Sequence, residues 1–462
     1  MSTKGNRDFR PEIHFTPPDM WMNDPNGMVY IDGVYHLFYQ KYPYDTVWGP
    51  MYWGHAVSRD LLKWKHMPIA LHPDELGYIF SGSCVYDADN TSGYGTKENP
   101  PVIALFTSHD SETGLEQQSI AYSTDGGKHF EKSYRNPIIS NPGISDFRDP
   151  KAFWNPLKKC WSLVLAACDR VQFYASKDLK EWTKTGEFGT CENHASGVFE
   201  CPDLFPVHVD GKVLWVLLIS MTTTVEDGKS RTQYFVGDFD GDTFTCTYSA
   251  DEPLWVDFGF DNYAGVTFQN YDEPLFIGWA QNWGYAAEVP TNEFCGQMTL
   301  ARKLSLKMTG VGYRLCGKPE GLKQNGASAY PIESGAHIAS ETFGIRMHGS
   351  GDAMLYLKNC KGQRLTLEVK EGRISVDRGL AGKRDFHEQF MTEQYSKAEM
   401  KRLAAGDYDI ELIFDVSVLE VFADDGLEMC TMVVYPEAPY DKVKWQGDLK
   451  VEFYTIGTGL HA

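Results

Sequence analysis

Four stretches of the chain repeat one pattern: an aromatic-rich strand, a small polar turn and a closing aromatic. They are WGHAVSRDLLKW (Trp53 to Trp64), IAYSTDGGKHF (Ile120 to Phe130), QFYASKDLKEW (Gln172 to Trp182) and YFVGDFDGDTF (Tyr234 to Phe244). The closing aromatics lie 66, 52 and 62 residues apart. Each stretch reads as two short strands joined by Ser, Asp or Gly, the residues that hairpin turns demand. Units of this size leave sheet edges open unless they are arranged radially, so the repeat predicts a β-propeller. A fifth unit runs through LFIGWAQNW (Leu275 to Trp283) and MTLARKLSL (Met298 to Leu306). A large sandwich with irregular hairpins is the alternative that the repeats alone leave open.

Beyond Leu306 the text changes. The Gly-rich stretch Gly310 to Ala327 reads as a connector, and LTLEVK (Leu365 to Lys370), YDIELIFD (Tyr408 to Asp415) and LEVFAD (Leu419 to Asp424) then alternate apolar and polar residues. Alternation marks strands with one buried face, which predicts a second β domain built as a sandwich. The expected division is a propeller over residues 1–310, a linker over 311–330 and a sandwich over 331–462, with one short helix over Thr392 to Ala404. The class is all-β. With 63 acidic and 43 basic residues the net charge is −20, which argues against nucleic acid or an anionic membrane as partner. The longest uncharged apolar run, Val213 to Ser220, is far below the roughly 20 residues of a spanning helix. Met1 to Arg10 is polar and lacks an apolar leader core, so a cytoplasmic location is expected. The ten cysteines are scattered without a CxxC pair, which predicts free thiols, and no spacing suggests a metal or other cofactor.

The first strand of each propeller blade runs along the central axis, so residues at a fixed interval after each repeat should converge. Ser81 lies 17 residues after Trp64, Asp149 19 after Phe130, Glu200 18 after Trp182 and Asp261 17 after Phe244. They sit in FSGS, FRDP, FECPD and DNYA, each a hydroxyl or carboxylate beside aromatics. An acidic ring buried on an axis is costly without a purpose. Near the N-terminus WMNDPNG (Trp21 to Gly27) precedes the strand MVYIDGVYHLFYQ, which puts Asp24 at the entry of the first blade. Alone, Asn-Asp-Pro-Asn-Gly is a competent turn. Beside Asp149 and Glu200, with Trp21, Trp48, Phe80 and Trp279 to stack, it supplies the paired carboxylates and apolar wall of glycosidic bond cleavage.

These blocks, with WGPMYWGHA (Trp48 to Ala56) between them, resemble the signature segments of glycoside hydrolase family 32, the invertases, inulinases and levanases. The resemblance runs in order from Pro11 to Leu306, and DVSVLEVFADDG (Asp415 to Gly426) is similar to the family's C-terminal domain. It implies a five-bladed propeller with an axial pocket for a β-fructofuranosyl unit, followed by a β-sandwich. It further implies a retaining exo-acting β-fructofuranosidase for sucrose, fructo-oligosaccharides and inulin or levan ends. Asp24 would be the nucleophile, Glu200 the acid/base and Asp149 the stabilising carboxylate. Substrate contacts would come from Asn23, Gln40, Trp48, Phe80, Ser81, Arg148, Asp261, Tyr263 and Trp279. Phe294 and Cys295 depart from the pattern, standing where exo-type relatives more often carry Trp and Arg, which bears on the outer subsites. A fructosyltransferase using the same covalent intermediate, or a fructan-binding homologue without catalysis, are the competing readings.

Overall fold

Each repeated segment forms the outer hairpin of a four-stranded antiparallel meander, as the spacing predicts. The turn chemistry recurs with it. Ser58 Oγ accepts the amides of Asp60 and Leu61, while Asp60 Oδ1 accepts those of Leu62 and Lys63. Ser176 and Asp178 repeat that exchange in the third blade. Short polar side chains thus satisfy the turn amides that no ladder reaches. The computed structural model describes residues 7–189, 195–224, 229–248, 250–322 and 328–457.

The inner strands are Met20–Ile31, Tyr78–Tyr86, Phe147–Asn155, Glu200–Val209 and Tyr263–Thr267, one for each of five sheets. The ring closes on itself: Phe294–Cys295 adds parallel to Met20–Ile31, and Val29 bridges Gln269. The fifth sheet ends with the hairpin Arg302–Thr309 and Gly312–Pro319, so a strand occupies part of the expected connector. Gly310 and Gly312 turn that hairpin, Gly312 at φ 98°, and do not loosen a linker. Residues 323–327 of that stretch lie outside the described ones.

A six-stranded and a five-stranded antiparallel sheet follow, the predicted sandwich. Alternating Leu365, Leu367 and Val369 line the buried face of the five-stranded sheet beside their cross-strand neighbours Leu357, Leu355, Val376 and Ile374. The helix expected over Thr392 to Ala404 is a correction. Single helical turns form at Glu388–Met391 and, within the expected span, at Glu393–Tyr395, and Lys397–Lys401 is an edge strand paired with Arg373–Leu380. Sheet pairing there overrides local helix propensity. Cys84, Cys160, Cys168, Cys201, Cys295, Cys316, Cys360 and Cys430 are free thiols, and Cys191 lies outside the described residues.

Candidate active site

Every inner strand carries a bulge in the same region. Pairing jumps two residues on the inner strand against one on its neighbour between Met22 and Pro25, Ile79 and Gly82, Arg148 and Lys151, Glu200 and Asp203, and Tyr263 and Val266. The bulged pairs are Asn23–Asp24, Phe80–Ser81, Asp149–Pro150, Cys201–Pro202 and Ala264–Gly265. Asp149, Cys201 and Ala264 adopt positive φ of 66°, 45° and 53°. A bulge re-aims side chains that a regular strand would send to alternate faces. Five bulges at one level turn carboxylates and their partners together toward the axis.

Asp24 is buried and hydrogen-bonded on both oxygens. Ser81 Oγ donates to Oδ2 at 2.7 Å and Asn23 Nδ2 to Oδ1 at 3.1 Å. The Cys201 thiol lies 3.5 Å from Oδ2 of Asp24 and equally 3.5 Å from Oδ2 of Asp149. The Cys201 amide also donates to Asp149 at 2.8 Å. Glu200 is held differently: Arg148 Nε and Nη2 reach its Oε1 at 3.2 and 2.9 Å, and the hydroxyls of Thr222 and Tyr263 donate to its Oε2. Glu200 is partly exposed, whereas Asp24 and Asp149 are buried, so the glutamate is the carboxyl nearest solvent.

Burial sets the electrostatics. It raises the pKa of Asp24, against the lowering effect of the Ser81 bond, and the neighbouring Glu200 charge raises it further. Burial likewise pushes Asp149 up to about 7, with Arg148 opposing and Glu200 and Asp24 reinforcing the rise. Asp24 and Asp149 therefore titrate as coupled groups in the field of the Glu200 charge, a condition under which acid and base roles separate.

The aromatic wall is part exposed and part buried. Trp48 is 44% exposed and meets Phe80 edge-on with centroids 6.2 Å apart, and Phe80 stacks on His109 at 4.2 Å. Trp279 is fully buried between Trp21 and Trp283, and its indole Nε1 has no hydrogen-bond partner among the described residues. Asp261 is buried, and its oxygens accept Arg378 Nη1 at 2.7 Å and the Val433 amide at 2.8 Å from the sandwich and the hydroxyl of Tyr285 from the propeller. Tyr263 gives its hydroxyl to Glu200 and is 1% exposed, so it acts through the acid. Gln40 spends its amide nitrogen on Asn26 Oδ1 and the Ile79 carbonyl, bracing blades one and two. Phe294 lies under the Arg10 guanidinium and the Cys295 thiol contacts the Ala286 carbonyl, so these two buried residues serve ring closure. Thr222, Thr107 and Glu116 were not legible: Thr107 Oγ1 accepts the Asp149 amide at 3.0 Å, and no spacing or motif marks any of them.

The chain matches the glycosyl hydrolases family 32 N-terminal domain over residues 14–319 and the glycosyl hydrolases family 32 C-terminal domain over residues 306–455. It is 40% identical to a levanase of Bacillus subtilis (strain 168), with 97% of this chain and 70% of that protein covered. The crystal structure of an exo-inulinase from Aspergillus awamori superposes with a TM-score of 0.88 at 29% identity, covering 98% and 99% of the two chains. A fructofuranosidase from Schwanniomyces occidentalis complexed with fructose gives 0.87 at 27% identity, covering 98% and 99%.

Proposed function

The chain belongs to glycosyl hydrolase family 32, a glycoside hydrolase of the fructofuranosidase type, and we propose that it is a retaining exo-enzyme acting on terminal β-fructofuranosyl units. The observation that carries this reading is the difference between its two working carboxyls. Asp24 is sealed and hydrogen-bonded by Ser81 and Asn23, as a nucleophile needs, while Glu200 stands nearer solvent with two hydroxyls and a guanidinium around it. Asp24 attacks the anomeric carbon C2 while Glu200 gives its proton to the departing glycosidic oxygen, leaving a fructosyl ester on Asp24. Glu200 then takes a proton from water, whose oxygen displaces Asp24 and frees fructose. Asp149 grips the fructosyl hydroxyls and steadies the positive charge that develops on the ring. A retaining pair requires the carboxyls of Asp24 and Glu200 to lie about 5 to 5.5 Å apart.

A small cavity lined by Pro25, Ser81, Asp149, Pro150, Lys151 and Cys201 lies beside the carboxylates. Arg148 is engaged by Glu200, Glu116 and Asp146, and Lys151 by Asp203, so the uncharged fructosides sucrose, fructo-oligosaccharides and inulin or levan ends are the substrate reading. Asp24→Asn should lower kcat by about three orders of magnitude or more with the fold intact. Proton NMR of the first product should show fructose with its β configuration kept. Release of the α anomer, or an Asp24→Asn enzyme of near-normal rate, would overturn the mechanism.

A further inference from the structure

A guanidinium 2.9 Å from a carboxyl favours the ionised form, yet a general acid must arrive protonated. Arg148 puts Glu200 in that position, and Arg148 remains charged at any working pH. The other side of the same guanidinium resolves the conflict. Arg148 Nη1 lies 3.1 Å from both Oε1 and Oε2 of Glu116 and 2.7 Å from Oδ1 of Asp146. Glu116 is 5% exposed and opens the strand Glu116–Ser123, opposite His109 in the ladder. The Phe147 amide fixes it, donating to Oε2 at 2.8 Å, and His109 Nδ1 stands 3.4 Å from Oε1. Asp146 is 34% exposed and screened by water, whereas Glu116 is not.

We propose that Glu116 is a positioning residue for the acid/base: it shares the Arg148 guanidinium with Glu200, and so lets Glu200 keep the proton it must donate. The inference rests on Glu200 being that acid. Glu116 holds the Nη1 edge, which leaves Nε and Nη2 presented to Glu200, and its negative charge offsets the field that edge exerts. The charge is present, because His109 and Arg148 overcome the cost of burial and hold Glu116 below the usual carboxylate range. Glu200 is faced by Arg148 from the third blade, Thr222 from the fourth and Tyr263 from the fifth, with Asp24, Asp149 and Cys201 beside it. Glu116 is faced by Arg148 and His109, with Asp146 across the guanidinium. His109 also carries Phe80 on its ring, so the support of the acid and of the sugar wall meet at one pair.

The experiment is the pH dependence of kcat/KM on sucrose for wild type, Glu116→Gln and Glu200→Ala, with melting temperatures alongside. Without the Glu116 charge the guanidinium acts on Glu200 unshared, and the basic limb should move to lower pH while the acid limb stays. A folded Glu116→Gln enzyme that loses activity evenly across pH overturns the proposal and makes Glu116 a structural anchor. Should that variant not fold, Asp146→Asn probes the same nitrogen from the surface. A smaller shift in the same direction supports the sharing, and an unmoved limb overturns it. If Glu200→Ala retains the basic limb, the acid assignment has failed, an outcome distinct from the failure of the sharing argument.

Discussion

A nucleophilic carboxylate has to be ionised, and burial works against Asp24 in this respect. Ser81 is its shortest hydrogen bond, at 2.7 Å, with Asn23 at 3.1 Å and the Cys201 thiol at 3.5 Å as weaker support. A hydrogen bond to a charged group contributes about 1.5 to 3 kcal/mol. Ser81→Ala should therefore lower kcat/KM on sucrose roughly ten- to a hundredfold. The bond favours the ionised form, so its loss raises the pKa of Asp24 and should move the acid limb of the profile to higher pH, with the basic limb unchanged. A pH–rate comparison of the two enzymes checks this. An acid limb that stays in place would mean that Ser81 contacts the sugar and does not tune Asp24.

At the scale of elements, the five bulges explain what could be read from text and what could not. Counting from each closing aromatic found Ser81, Asp149 and Glu200, because the outer hairpin and the next inner strand are joined at nearly constant length in the early blades. The same count in the fifth blade lands on Asp261, three residues before the bulge at Ala264. The segment from Asp257 to Asp261 runs against Glu428–Val433 of the sandwich, so the extra length serves the domain contact. Nothing local in the text distinguishes a carboxylate aimed at a sugar from one aimed at Arg378, since the partner lies 117 residues away. Asp261→Asn should accordingly leave the buried Arg378 short of a counter-charge at a cost of about 3 to 5 kcal/mol. Its melting temperature should fall clearly while KM for sucrose stays near that of wild type. A rise in KM with unchanged stability would return Asp261 to the sugar site. The helix expected after Thr392 failed for the related reason that an edge-strand partner, Arg373–Leu380, is invisible to local propensity.

On the scale of the molecule, the propeller and sandwich are joined by a buried charged seam. Arg302 of the fifth blade pairs with Asp257 and with Glu420 of the sandwich, all buried. The N-terminal segment is clamped to the same place: the amides of Glu12, Ile13 and His14 donate to Asp415, and the His14 ring bridges Asp415 and Glu420. Because this segment leads directly into Met20–Ile31, the seam also anchors the strand that carries Asp24. Burial alone would push the His14 pKa down, but the two carboxylates reverse that and hold it up to about 9. A folded value above the unfolded 6.5 means that the stabilisation is fully present below pH 6.5 and is lost as pH rises through about 9. Its size is roughly 3 kcal/mol. Against the cost of burial, His14 depresses Asp415, and Arg302 together with His14 depresses Glu420; their share is present above the unfolded carboxylate pKa of about 4 and is lost as pH falls. Thermal stability should thus be greatest between about pH 4.5 and 6.5 and decline on the alkaline side. His14→Gln should lower the melting temperature strongly at pH 6 and little at pH 9.5, so that the two calorimetric curves converge as pH rises. Parallel curves across that range would show that His14 is neutral in the seam and that its contribution is packing alone.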